Sequence, residues 1–370
     1  MNTMKIYDIG IVGAGPGGIA GAIRAKKHGL DFVVIEKGRR PFQGIIDSYP
    51  KGKKVYATIP KGETAPFPIE ALAPVPDKLP VEAYIDQIEA LVIKSGFAIC
   101  YGEDFQNIEK RGDFFTITTQ NRRFQTRFVI LAFGSNIPMD LGVYGEAKTI
   151  ARNLDNPEDH IGFPTLVLGG GNAAADVVAT LSGAKRKADD PTPVYWGNMK
   201  EQFKVNKDVA RDLGEEILVG GHIRILQGAI PRIGEVDEEG VDRLTLLTQE
   251  IDAGNGMILK QAMSFPMKHV IACIGTQGPA PIFSRLGLQQ ITCTEGVCRI
   301  GKEGSRLILL TGNFQTSVKG IYAIGGAVSP AYIEVQQEGA FKERKHTNLI
   351  YTAIKDAVCA VDDIVSKSTQ

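Results

Sequence analysis

The chain has 370 residues, 43% of them apolar, enough to bury a sizeable core and to divide into two domains of ordinary size. Its 42 basic and 42 acidic side chains cancel, so no overall field draws it to nucleic acid or to an acidic membrane, and a small or protein-borne partner is expected. Cys100, Cys273, Cys293, Cys298 and Cys359 include no Cys-x-x-Cys, which argues against a disulfide framework or a metal centre and for a reducing, cytoplasmic address.

The first apolar stretch, Ile6 to Ala25, is interrupted by Asp8 and six glycines and lacks a basic lead, so it is predicted to be core and not a leader or a span. Within it Ile6 to Val12 reads as a strand. Gly13-Ala14-Gly15-Pro16-Gly17-Gly18 follows at once and opens a helical pattern to His28. A second strand, Phe32 to Ile35, ends in Glu36, with Lys37 beside it.

That order of strand, Gly-x-Gly-x-x-Gly, helix, strand and acid is a dinucleotide site. Gly13 makes the tight turn, Gly15 lets the backbone approach a pyrophosphate, and Gly18 allows close packing of helix on strand. Pro16 and Gly17 complete the loop at the helix N-terminus, where free N–H groups and the dipole favour anions. Glu36 is placed to accept hydrogen bonds from ribose hydroxyls.

Residues 60 to 80 carry six prolines and are predicted to be a long loop, either a lid over the site or a surface excursion. Further on, Thr165 to Leu168 reads as a strand running into Gly169-Gly170-Gly171-Asn172-Ala173-Ala174 and a helix, the Gly-x-Gly-x-x-Ala form of the same device. The next strand, Pro193 to Trp196, is expected to end at Gly197 without a ribose-binding acid. Trp196 is a candidate to stack on adenine, and Lys200 and Lys204 are candidates for a 2′-phosphate, which favours NADPH over NADH. Lys185-Arg186-Lys187 reads as a solvated charge run and His346 as a lone surface histidine.

Together these motifs resemble the thioredoxin-reductase-like flavoproteins, over nearly the whole chain. Val129 to Gly134 is similar to the strand and turn that leave that family's FAD domain, and Val270 to Gly275 to the matching return from its NAD(P)H domain. Gly320 to Ala327 is similar to the late strand that brings backbone to the flavin ribityl chain, at Gly325, Gly326 and Ala327; Gly326 stands where most of the family has an Asp. Ile333 to Ala353 is expected to be the helix pointing at the flavin pyrimidine edge, with Gln336 and Gln337 near the contact. Tyr49, in Tyr49-Pro50, is expected near the flavin.

The resemblance implies an α/β fold of two Rossmann-like, three-layer domains. An FAD domain (residues 1–143 and 286–370) is interrupted by an NAD(P)H domain (144–285), and Gly- and Pro-rich crossings at 135–146 and 276–285 join them. It implies an oxidoreductase, homodimeric, that passes electrons from NADPH or NADH through FAD to an external acceptor. No cysteine lies between Cys100 and Cys273, so the dithiol relay of thioredoxin reductases is absent. The dithiol-free branches are the bacillithiol disulfide reductase and ferredoxin-NADP reductase types, so the acceptor is a low-molecular-weight disulfide or a ferredoxin- or flavodoxin-type carrier. No side chain stands out as a catalytic acid or base. A flavin-binding sensor or assembly protein without NAD(P)H turnover is the alternative, and a flavin monooxygenase is disfavoured because that family's extra signature is missing.

Overall fold

A computed structural model describes residues 5–49, 52–55, 79–135, 137–138, 144–145, 150–200, 202–205, 207–247, 251–252, 258–259, 262–292, 306–336 and 339–368. Most of the proline-rich segment, Gln337, Cys293 and Cys298 lie outside these residues. The chain divides into two compact units, one of residues 1–47, 51–137 and 277–370, the other of 138–276 with 48–50. The short helix Ala280–Arg285, expected on the inserted side, belongs with the first unit.

The first unit opens with β1 (Ile6–Val12), α1 (Pro16–Lys27) and β2 (Phe32–Ile35). β1 is parallel to β2, Ile9 opposite Phe32 through Val12 opposite Ile35. Ile9, Ile11 and Val34 are wholly buried, as strands covered on both faces require. α2 (Val81–Ser95) seats its buried Tyr84 against Phe42. β3 (Ile99–Cys100) then joins the far edge of β2.

An antiparallel meander follows, β4 (Phe105–Arg111), β5 (Phe114–Thr119) and β6 (Arg123–Leu131). β6 lies parallel to β1 over its length. Its first half pairs with β5, and its last three residues pair with a strand that arrives only late in the chain.

In the second unit β7 (Thr165–Leu168) leads into α3 (Asn172–Lys187), β8 (Val194–Asn198), α4 (Lys207–Leu218) and β9 (Ile223–Gln227). β10 (Ile230–Val236), β11 (Asp242–Leu247) and β12 (Ala262–Pro266) form an antiparallel sheet, and β13 (Val270–Ala272) returns beside β7. The parallel sheet has the order β9-β8-β7-β13. Alternate β7 residues face opposite layers: Val167 packs with Val178 and Trp196, whereas Leu166 and Leu168 pack with Leu244 and Phe265. This makes three layers.

The chain re-enters the first unit with β14 (Gln290–Thr292), β15 (Arg306–Leu310), β16 (Ile321–Ala323), β17 (Ala331–Val335), β18 (Phe341–Lys345) and α5 (Ile350–Ser368). β16 is the late partner of β6, Val129 opposite Ile321. The helix expected over 333–353 is instead the hairpin β17–β18 followed by α5. Ile333 is claimed by β15, where it pairs with Leu309, and the chain turns through Gly339 at φ +77°.

Lys185, expected in a solvated charge run, is buried instead. It is 2% exposed, and its ammonium donates to the carbonyls of His160 and Phe163 (both 2.7 Å), to Thr192 Oγ1 (2.7 Å) and to Asp190 Oδ2 (2.9 Å). Asp190 is held well below the usual carboxylate range. Its burial acts the other way, but two backbone N–H groups and the Lys185 ammonium prevail. Among the described residues no helix is long and apolar enough to cross a membrane.

Candidate dinucleotide sites

Two glycine loops sit at the ends of parallel strands, each at the N-terminus of a long helix. In the first, Gly13 holds φ +103°, and a Cβ there would lie 2.9 Å from Phe133 Cα. A Cβ on Gly18 would strike the carbonyl of Gly13. Gly15 is different. Its backbone is extended (φ −75°, ψ −172°), and nothing lies within 4 Å of where its Cβ would be.

The second loop repeats this arrangement. Gly169 has φ +131°, and its Cβ would lie 2.8 Å from the Cys273 carbonyl carbon, whereas Gly171 is extended with open space before it. Ala174, the third small residue, is fully buried against the strand. Asn172 and Ala173 are exposed in the first turn of α3.

Gly15 and Gly171 thus satisfy no steric or conformational need of the protein itself. Their missing side chains leave room for something outside it, against a helix N-terminus that favours negative charge. A dinucleotide pyrophosphate has that shape and charge, so both loops fit such a group. Among the described residues no three His, Cys, Asp or Glu side chains gather as metal ligands.

Glu36 follows β2 directly and is buried. Oε2 accepts from the Ala14 N–H and Oε1 from the Gly38 N–H, both at 2.7 Å. Each oxygen keeps a further lone pair, so the carboxylate shapes the loop and can still take ribose hydroxyls. Beyond it opens a groove of about 450 Å³ lined by Lys37, Gly38, Arg39, Gln43, Asp47 and Asp104. Tyr49 is half-buried, in the 48–50 stretch that clusters with the second unit.

Gly134 follows β6 at φ +72° and Gly275 follows β13 at φ +86°, so the exits of the two sheets turn alike. In the first unit the turn Gly325–Val328 lies beside that exit. A Cβ on Gly326 would lie 3.2 Å from Ser135 N and 2.9 Å from Asn348 Oδ1. A side chain at Gly326 would be tight against the Gly134–Ser135 backbone and would displace the Asn348 side chain, the polar group at its face. Gly325 at φ +63° abuts Ala353 of α5, and Ala327 is buried.

His346 corrects the expectation of a surface residue. It is buried, with Nδ1 2.6 Å from Ser329 Oγ and Nε2 2.9 Å from Asp356 Oδ2; the same Oδ2 accepts the Gly325 N–H at 2.9 Å. Gln336 is also displaced from its expected place. It sits in the turn of the β17–β18 hairpin, where its N–H donates to Ala340. Four strand residues, roughly 13 Å, separate that turn from the hairpin base at Ala331 and Lys345.

Trp196 cannot serve as an exposed stacking platform. It is 3% exposed, its indole N–H donates to the Gly169 carbonyl at 2.7 Å, and Phe203 lies edge-on to its ring at 4.5 Å. It supports the glycine loop from beneath. β8 also runs one residue beyond the expected Gly197, to Asn198. Lys200 and Lys204 are exposed, and the Lys204 N–H donates to the Gly170 carbonyl at 2.6 Å.

Among the described residues Cys100, Cys273 and Cys359 form no disulfide. Burial pushes Cys100 and Cys359 further from the thiolate form.

Residues 10–213 match the family described as pyridine nucleotide-disulphide oxidoreductase. A protein of Streptococcus mutans named ferredoxin–NADP reductase is 28% identical over 257 residues, 67% of this chain and 67% of its own. One of that name from Streptococcus agalactiae is 25% identical over 90% of this chain and 89% of its own. Among solved structures, the bacillithiol disulfide reductase Bdr (YpdA) of Staphylococcus aureus superposes with a TM-score of 0.76 at 17% identity, over 98% of this chain and 99% of that one. The thioredoxin reductase of Lactococcus lactis does so with a TM-score of 0.64 at 19% identity, over 98% and 99%. At these identities the two structures establish a shared fold.

Proposed function

Since the chain belongs to the pyridine nucleotide-disulphide oxidoreductase family, we propose that it is an FAD-dependent NAD(P)H oxidoreductase whose electrons pass to an external acceptor. The observation that carries this reading is the pair Gly15 and Gly171, two glycines with open space before them on two helix N-termini. One dinucleotide loop would serve many dehydrogenases. Two in one chain serve the transfer of electrons between two dinucleotides.

FAD is assigned to the first unit, where the Gly325–Val328 turn closes on the exit glycine Gly134 and adds the backbone that a longer ligand requires. NADPH or NADH is assigned to the second. When bound, FAD supplies the capacity to take a hydride from a nicotinamide and to return the electrons singly or as a pair. The chain's residues hold the phosphates at Gly15 and Gly171, the FAD ribose at Glu36 and the flavin-side turn through Asp356. The sequence has no Cys-x-x-Cys and no cysteine between Cys100 and Cys273, which supports electrons leaving the flavin without a thiol relay. A low-molecular-weight disulfide or a ferredoxin- or flavodoxin-type carrier is the acceptor class that this route and the names of the relatives support. A cytoplasmic homodimer is proposed from the family resemblance and the reduced cysteines.

Anaerobic mixing of the yellow protein with NADPH and with NADH tests the proposal. Loss of the visible flavin absorbance within seconds is expected, followed by its return on adding one acceptor of the two classes. A flavin that neither nicotinamide bleaches would instead identify a sensor or assembly protein.

A further inference from the structure

The two glycine loops can be aligned through their own strand registers. In the first unit Val12 pairs with Ile35, the Gly13 N–H donates to the Ile35 carbonyl at 2.7 Å, and the next residue is Glu36. In the second, Leu168 pairs with Gly197, the Gly169 N–H donates to the Gly197 carbonyl at 2.8 Å, and the next residue is Asn198. The side chains agree as well. Glu36 bonds the N–H of Ala14, the residue between the first two glycines, and a Cβ on Gly170, its counterpart, would lie 2.7 Å from Asn198 Cγ. Asn198 therefore occupies the place of the ribose-binding acid, one residue beyond Gly197, where the sequence pattern ends the strand.

We propose that Asn198 is the residue that reads the adenosine ribose of the nicotinamide cofactor, and that its neutral amide makes the site select a 2′-phosphorylated ribose. The inference rests on the NAD(P)H reading above and adds which group decides between the two nicotinamides. A carboxylate here would take the free 2′ and 3′ hydroxyls of NADH and repel a 2′-phosphate dianion at contact range. An amide accepts and donates without that repulsion.

The surroundings favour the phosphate. The Asn198 amide nitrogen donates to the Gln202 carbonyl at 2.7 Å, and the Lys204 N–H bonds back to Gly170, so the 202–204 segment is tied to the glycine loop. Lys200 and Lys204, both exposed, put two positive charges within six residues of Asn198, against one acid, Glu201, in the same stretch of sequence.

The test uses the FAD-loaded protein and two fragments of the cofactors, adenosine 2′,5′-bisphosphate and 5′-AMP, with binding measured by calorimetry. The unsubstituted protein should bind the bisphosphate at least about tenfold more tightly. Asn198→Asp should remove that preference by weakening the bisphosphate alone, and Asn198→Ala should weaken both fragments while keeping the preference. Anaerobic flavin reduction by NADPH and by NADH should follow the same order. Equal binding of the two fragments by the unsubstituted protein would overturn the inference, and so would a preference unchanged in Asn198→Asp. If flavin reduction proceeds but ignores Asn198, only this inference fails. If neither nicotinamide reduces the flavin and neither fragment binds, the NAD(P)H reading fails with it.

Discussion

His346 Nε2 and Asp356 Oδ2 stand 2.9 Å apart in the buried C-terminal part of the first unit, and the same carboxylate oxygen accepts the N–H of Gly325. One acid thus ties the base of the β17–β18 hairpin and the glycine turn to α5. Asp356→Ala would leave a buried ring nitrogen and a buried backbone N–H without a partner. Each such loss costs about 1–3 kcal/mol, so urea unfolding should show a deficit of about 2–5 kcal/mol. FAD should also dissociate faster, as read by the rise of free-flavin fluorescence on dilution. Unchanged flavin retention in a destabilised variant would restrict the carboxylate to folding.

Gly15 and Gly18 should respond differently to the same substitution. A Val side chain at Gly15 meets open space, so Gly15→Val is expected to fold with near-normal stability and to be purified colourless. Gly18→Val must push Gly13 and its loop apart, and should be lost to aggregation or unfold at lower temperature. A yellow Gly15→Val protein would place the flavin elsewhere.

Electron flow should not need the cysteines. Cys100 and Cys359 are held as thiols by burial, and Cys273 donates to the Arg152 carbonyl at 3.8 Å. Replacing all five cysteines with Ala or Ser is expected to leave the rate of flavin reduction by NADPH within about twofold, a difference worth under 0.5 kcal/mol. Loss of reduction in a folded single variant would reveal a thiol relay.

Stability should fall on mild acidification through His269. Its ring is 1% exposed, stacks on Phe163 at 4.3 Å, and has Nδ1 3.2 Å from Nδ1 of His160. Burial first, then the charges of neighbouring cations, lowers its pKa from 6.5 to about 4. The unfolded chain therefore takes up a proton that the folded chain refuses. Stability is complete above pH 6.5, declines as the pH falls to about 4 and levels off below, a loss of up to about 3 kcal/mol. Unfolding curves of the unsubstituted protein and of His269→Phe should diverge in that window, and parallel curves would count against the histidine.

The two glycine loops, their helices and Glu36 were readable in the residues themselves because the constraints that select them are local. A turn at positive φ, a helix N-terminus beside an anion and an acid at a strand end all act within about twenty consecutive residues. Burial is not local in this sense. Lys185 looks like part of a solvated run until the carbonyls of His160 and Phe163 and the side chains of Asp190 and Thr192 close around its ammonium. His346 gains its partners from Ser329, before the hairpin, and Asp356, on α5. The apolar run from Ala331 suits a helix or a strand, and its pairing with β15 made it a strand. Asn198 carries no signal of its own as a ribose reader. It takes that place only because the register of β7 on β8 repeats that of β1 on β2, and register is set by which strands lie side by side.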